Sequence, residues 1–186
     1  VSILDLDRLL YECEKIGING VVATTELTIF PTAYVAKQMN LRGNNIEVAK
    51  YITDKTVVRE KVKNVENLFQ PAFWKCDGSI IPQVDHFPVI VKPIAGGGKR
   101  GLSVVYSVSE LKQAIEEAID VSKVKGALVE EYLDGGKEYS VESLSYEGRQ
   151  YILQITQKDS SGPPHCVELG HHQPAELSEE MRNLVK

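Results

Sequence analysis

The chain has 186 residues, enough for one large domain or two small ones with a sizeable core. Hydrophobic residues make up 42% and charged residues 25%, and the net charge is −5 with basic residues scattered. That balance is ordinary for a globular protein and argues against a nucleic-acid surface, which needs a basic face to displace counterions. No apolar run approaches the length of a membrane span, and no signal-peptide pattern is present. Cys13, Cys76 and Cys166 are far apart and odd in number, which fits reduced thiols and a cytoplasmic location.

Ser2, with Asp5 three residues on, opens a predicted amphipathic helix. Its Leu6, Leu9, Leu10 and Cys13 recur at helical spacing, and it stops near Gly17. Beginning mid-architecture at Val1, the sequence reads as a fragment. Ile18 to Thr24 reads as a short buried strand and Thr28 to Met39 as a second helix, an alternation that predicts a parallel α/β unit, the remnant of a Rossmann-like domain. Ile46 to Val62 is predicted helical with a break near Thr53-Asp54, where one of the two caps a new helix carrying Lys55 and Arg59.

After Pro71 the pattern turns to strands. A hairpin is predicted around Asp77-Gly78, joining Phe73–Cys76 to Ser79–Ile81. Pro88 to Lys92 is a strand, followed by the loop Ala95–Gly101 and a second strand over Leu102 to Tyr106. Ser107 and Glu110 form a predicted capping box for a helix whose stripe is Leu111, Ala114, Ile115, Ala118 and Ile119. Ala127 to Leu133 is a strand. Tyr139 to Ser145 and Tyr151 to Thr156 are strands flanking Glu147-Gly148. Lys158 to Pro164 is a predicted loop, and a last helix starts at Pro174.

The glycine loop between two strands carries Gly96, Gly97, Gly98 and Gly101, with Lys99 and Arg100 at its tip. Glycines let backbone N–H groups approach phosphate oxygens, although a flexible β-turn has the same composition. It is not a Walker A loop, because Lys99 precedes Arg100 and a strand follows. A dinucleotide fingerprint also requires a helix after the glycines, which counts against a redox Rossmann domain. Lys92 ends an apolar strand, where an ammonium requires a partner or solvent. Glu130 and Glu131 are adjacent on a strand and point to opposite faces, so one of them faces solvent or a positively charged cleft. A zinc reading of His165, Cys166, His171 and His172 lacks a second ligand cluster, and His171 and His172 point opposite ways on a strand.

Asp54-Lys55, PVIVKP, the glycine loop, the capped helix and LVEEYLDGGKE form an ordered series from about Lys50 onward. This series closely resembles the ATP-grasp superfamily, and within it the carboxylate–amine ligases of the amino-acid-ligase and carbamoyl-phosphate-synthase-like groups. The resemblance implies an α/β fold with α+β lobes. Residues 1–53 would be a partial pre-ATP-grasp domain of Rossmann-like origin. Residues 54–186 would be an incomplete ATP-grasp domain with a lid at about 84–130. It implies that Lys55 and Lys92 reach ATP phosphates and that Gly96, Gly97, Gly98 and Gly101 belong to the loop folding over them. Glu130 and Glu131 would lie near the adenine amino group, the backbone of Glu131 and Leu133 would read its edge, and Glu138 would bind ribose.

Glu168 and His171 match the E-x-x-H segment near phosphate or the acyl acceptor, with Gln157 in the same cleft. The implied activity is ADP-forming C–N ligation of a small carboxylate through an acyl phosphate. The alternative is a nucleotide-binding module or split subunit without turnover. The family's Mg²⁺ ligands, an acid and a Glu-x-Asn pair on late strands, have no match here and are expected beyond the chain. A homodimer is the assembly the resemblance allows.

Overall fold

The computed structural model describes residues 2–122, 124–164 and 166–185. Helix α1 (Leu6–Ile16) is capped by Asp5, whose carboxylate accepts from the Arg8 N–H at 3.0 Å. Gly17 closes it at φ +73°, a left-handed position that suits glycine. A single 3-10 turn follows at Glu26–Thr28, then α2 (Ile29–Gln38), α3 (Ile46–Tyr51) and α4 (Lys55–Val62). Asp54 is the cap that starts α4, accepting from Thr56 N–H at 2.9 Å and Val57 N–H at 3.1 Å.

The strand expected over residues 18–24 does not form, and Val22 is 79% exposed. A strand exists only through pairing, and none of the described strands lies beside this segment. The parallel α/β unit expected here is therefore represented by helices and a connecting turn.

Strands β1 (Phe73–Cys76), β2 (Val89–Pro93), β3 (Ser103–Val105) and β4 (Ala127–Glu131) form an antiparallel sheet in the order β1-β4-β2-β3. The expected hairpin at Asp77-Gly78 is absent. The Asp77 side chain accepts from the Ser79 N–H at 2.9 Å in a local turn, and β1 pairs with the buried β4 instead. Helix α5 (Val108–Val121) lies on one sheet face, where Leu111, Ala114, Ile115 and Ala118 meet Val89, Val91, Val105 and Val129. Each of the larger side chains contributes about 1.5–3 kcal/mol through burial. The expected capping box at its start is not made. Ser107 Oγ pairs with Ser109 Oγ, and the Glu110 carboxylate accepts from the Tyr106 N–H instead.

A second antiparallel sheet has the order β5-β6-β7, from Glu138–Tyr146, Arg149–Ser160 and Glu168–His172. Glu147 (φ +48°) and Gly148 (φ +75°) make the two-residue turn between β5 and β6. Strand β6 runs on to Ser160, so the expected loop at Lys158 to Pro164 begins three residues later than read. Pairing with β7 explains this, since Lys158 lies opposite His171 and Asp159 opposite Gly170. Past β7 the chain is strapped to β6 through Ala175 N–H on the Ile155 carbonyl, which delays the last helix, α6, to Glu179–Val185. No described helix is long and apolar enough to cross a membrane.

Candidate functional site

Alternation along the first sheet separates its two faces. Ile90 lies opposite Glu130 and Lys92 opposite Leu128, so these four share the face turned away from α5. Helix α4 covers that face and brings Arg59, one turn beyond Lys55, onto the same carboxylate. Glu130 is 1% exposed and ion-paired to both Arg59 and Lys92. Burial pushes its carboxyl up, but the hydrogen bond from Arg59 and the charge and hydrogen bond of Lys92 outweigh it. The net direction is down, so the acid stays ionised. Of the two adjacent acids, Glu130 is thus the one facing positive charge. Glu131 sits on the opposite face, exposed, and its N–H is already donated to the Ala72 carbonyl at 2.9 Å.

A cavity of ≈ 890 Å³ opens between α4, the end of β2, the glycine loop and the start of β7. Lys55, Arg59, Lys92, Lys99 and Arg100 line it with Gly96, Gly97 and Gly98, against the acids Glu26 and Glu168. Lys55 Nζ donates to the Gly96 carbonyl at 2.8 Å. Burial draws the Lys55 ammonium below its usual pKa, Glu26 opposes that shift, and Lys92 reinforces it. At the loop tip, Lys99 (φ +56°) bonds the Cys166 carbonyl and lies 3.7 Å from Glu168. Glu168 in turn meets Lys158 at 3.2 Å and His171 Nε2 at 3.1 Å. The His171 hydrogen bond, then the hydrogen bond and charge of Lys158, hold the Glu168 carboxyl below the usual glutamate range.

The cleft therefore brings together Lys55, Lys92, Gly96, Gly97, Gly98 and Glu168, with His171 at its margin. Glu130 serves it indirectly, through Lys92 and Arg59. Leu133, 59% exposed beyond β4, and Glu138, 3.8 Å from Lys158, do not line it. Gly101 does not line it either. A Cβ there would fall 2.3 Å from Val121 Cγ2 and 3.1 Å from Pro93 Cγ, so this glycine lets α5 close on β2. Gly98 has φ +70° and open space around it. Gly101→Ala is accordingly expected to lose about 2–3 kcal/mol through overpacking and left-handed strain, and Gly98→Ala about 1 kcal/mol. Urea unfolding of both variants checks this, and equal losses would contradict the packing assignment.

Sequence reasoning assigned no role to Arg59, Lys158 or Glu26. The four-residue spacing of Lys55 and Arg59 was the available signal for the first. Of the zinc candidates, His165 lies outside the described residues. Among the described residues no group of three or more His, Cys, Asp or Glu side chains is placed to hold a metal ion.

Residues 85–186, more than half of the chain, match the family model of the ATP-grasp domain. The chain belongs to the ATP-grasp family. The match takes in β2, the glycine loop, β3, α5, β4 and the second sheet, while Lys55 and Arg59 lie upstream of it. A carbamoyl phosphate synthase large chain, C-terminal section, from Aquifex aeolicus is 32% identical over 108 residues, 54% of this ATP-grasp chain and 19% of that protein. The carbamoyl phosphate synthase large chain of Halomonas eurihalina is 25% identical over 151 residues, 78% of this chain and 13% of that one. Among solved structures, L-amino acid ligase from Bacillus licheniformis superposes with a TM-score of 0.79 at 26% identity, covering 97% of this chain and 42% of its own. The chain spans about a fifth or less of these curated relatives and under half of that solved chain.

Proposed function

We propose that the cleft holds ATP, with its phosphates between α4, the end of β2 and the glycine loop, as the nucleotide-handling part of an ADP-forming ligase. The observation that carries this reading is the convergence of Lys55, Arg59, Lys92 and the three glycines on one cavity. Cations and unshielded backbone offset triphosphate charge where water is scarce. The Lys55 ammonium, now spent on the Gly96 carbonyl, would turn to a phosphate oxygen. Transfer of the γ-phosphoryl group to a small carboxylate would give an acyl phosphate and ADP, and an amine would then displace phosphate. Glu168 would orient His171 to accept the proton that the amine loses. Names of relatives such as L-amino acid ligase and carbamoyl phosphate synthase support this class of chemistry.

In this reading Glu131 and Leu133 take the adenine edge through their backbone, and Glu138 takes the ribose. Residues 1–53 are the remnant of a Rossmann-like pre-ATP-grasp domain, and residues 54–186 are the ATP-grasp unit with its lid at about 84–130. The protein works in the cytoplasm, and a homodimer is a compatible assembly. Mg²⁺, which the family implies, does not fit the described residues. Glu130 and Glu168 are committed to cations, and no metal-holding group is formed. A second reading is a nucleotide-binding module or split subunit without turnover.

Incubating the full-length protein with ATP, a panel of amino acids and hydroxylamine is expected to yield a hydroxamate and ADP. Release of AMP and pyrophosphate would refute the acyl-phosphate route. Saturable ATP binding without any ADP release would support the second reading.

A further inference from the structure

Glu26 differs from the other acids of the cleft in origin and in commitment. It comes from the 3-10 turn Glu26–Thr28, upstream of the residues that match the family. The turn is held by reciprocal bonds between Thr25 and Thr28. Thr25 N–H reaches Thr28 Oγ1 at 3.3 Å, and Thr28 Oγ1 donates back to the Thr25 carbonyl at 2.8 Å. Glu26 lines the main cleft and also a second cavity of ≈ 520 Å³ that shares Gly96, Gly97 and Gly98 with it.

Its carboxylate lies against Gly97, where an added Cβ would fall 2.8 Å from Oε2. Three of the cleft cations are bonded elsewhere, Lys55 to the Gly96 carbonyl and Arg59 and Lys92 to Glu130. Glu26 nevertheless gives the largest charge effect opposing the desolvation of Lys55. Arg100, at the loop tip, lines both cavities with it. An anion set against a glycine backbone in the field of a half-buried lysine resembles a phosphate oxygen in such a loop.

We propose that Glu26 is an internal stand-in for a phosphate: its carboxylate keeps the glycine loop and Lys55 poised, and a bound triphosphate displaces it. This rests on the reading of the cleft as a triphosphate site. Glu26 is then a positioning residue that competes with the ligand, so its charge weakens nucleotide binding while it preserves the empty site.

Glu26→Gln keeps the side-chain shape and removes the charge. The residue is exposed, so the melting temperature is expected to stay unchanged. Calorimetry with inorganic tripolyphosphate and with ATP is expected to show about fivefold tighter binding than wild type at low ionic strength. The gain is expected to vanish near about 1 M salt, where screening is nearly complete. Lys55→Met is the control for the site itself. If wild type and Lys55→Met both fail to bind, the cleft is not a triphosphate site, and the inference falls with it. If wild type binds, Lys55→Met does not, and Glu26→Gln equals wild type, only the competing role of Glu26 is overturned. Weaker binding by Glu26→Gln, or a gain that salt leaves intact, overturns it as well.

Discussion

Glu130→Gln is expected to lose about 3 kcal/mol of folding stability, the low end of the cost of breaking a buried ion pair. The carboxylate is almost fully buried, while the side chains of its partners retain some access to water: 31% for Arg59 and 21% for Lys92. Glutamine has nearly the same shape, so little packing is lost. What is lost is the one anion between two cations. Water reaching Arg59 and Lys92 softens their repulsion and keeps the loss at the low end. The loss is expected to depend on pH in a definite sense. The folded-state pKa of Glu130 lies below its ordinary value of 4.5. Its contribution is therefore fully present above the unfolded pKa and is lost as pH falls through the folded one. Denaturant unfolding of wild type and variant should show a gap that is constant near neutrality and closes below about pH 4.5. A gap that stays open at pH 2 would mean that packing, not charge, explains the loss.

How much of this was legible in the sequence depends on the range over which each feature is determined. A cap at Thr53 or Asp54, the apolar stripe of α5 and the turn at Glu147-Gly148 are local, and all three form, with Asp54 taking the cap. The opposite orientation of Glu130 and Glu131 follows from strand geometry, so it too was available. The partners of Glu130 were not. Arg59 is 71 residues away, and only the folded sheet shows that α4 lies across that face. Ile18 to Thr24 failed for the converse reason, because an apolar run signals burial without saying which neighbour pairs with it. Asp77-Gly78 has the composition of a hairpin turn, but Ser79 captured the aspartate and β4 captured β1. Gly101 was grouped with the other glycines by adjacency, whereas its surroundings are Val121, Pro93 and Ala118. Glu26 carries no local pattern, and only its approach to Gly97 singles it out.

Lys92→Ala is expected to abolish ATP binding, with a loss of about 3 kcal/mol or more, corresponding to about a hundredfold or greater rise in Kd. Lys75→Ala is expected to leave Kd within about twofold of wild type, as a surface change remote from a site usually does. The comparison is fair because both lysines lie on strands of one sheet and on the same face, each opposite Leu128 from a different side. They differ in surroundings. Lys92 lines the cleft and pairs with Glu130, while Lys75 is exposed beside Glu60 and Lys61 of α4. Removing Lys92 leaves Glu130 with Arg59 alone, so some stability is lost as well. Thermal melts of the ligand-free variants separate that effect from binding. Lys92→Arg is the informative third variant, since it keeps the charge beside Glu130 but replaces a compact ammonium with a planar fork. A melting temperature close to wild type with ATP binding still lost would place the function of Lys92 at the phosphates. Equal Kd values for Lys92→Ala and Lys75→Ala would remove Lys92 from the site and leave it as a purely structural partner of Glu130.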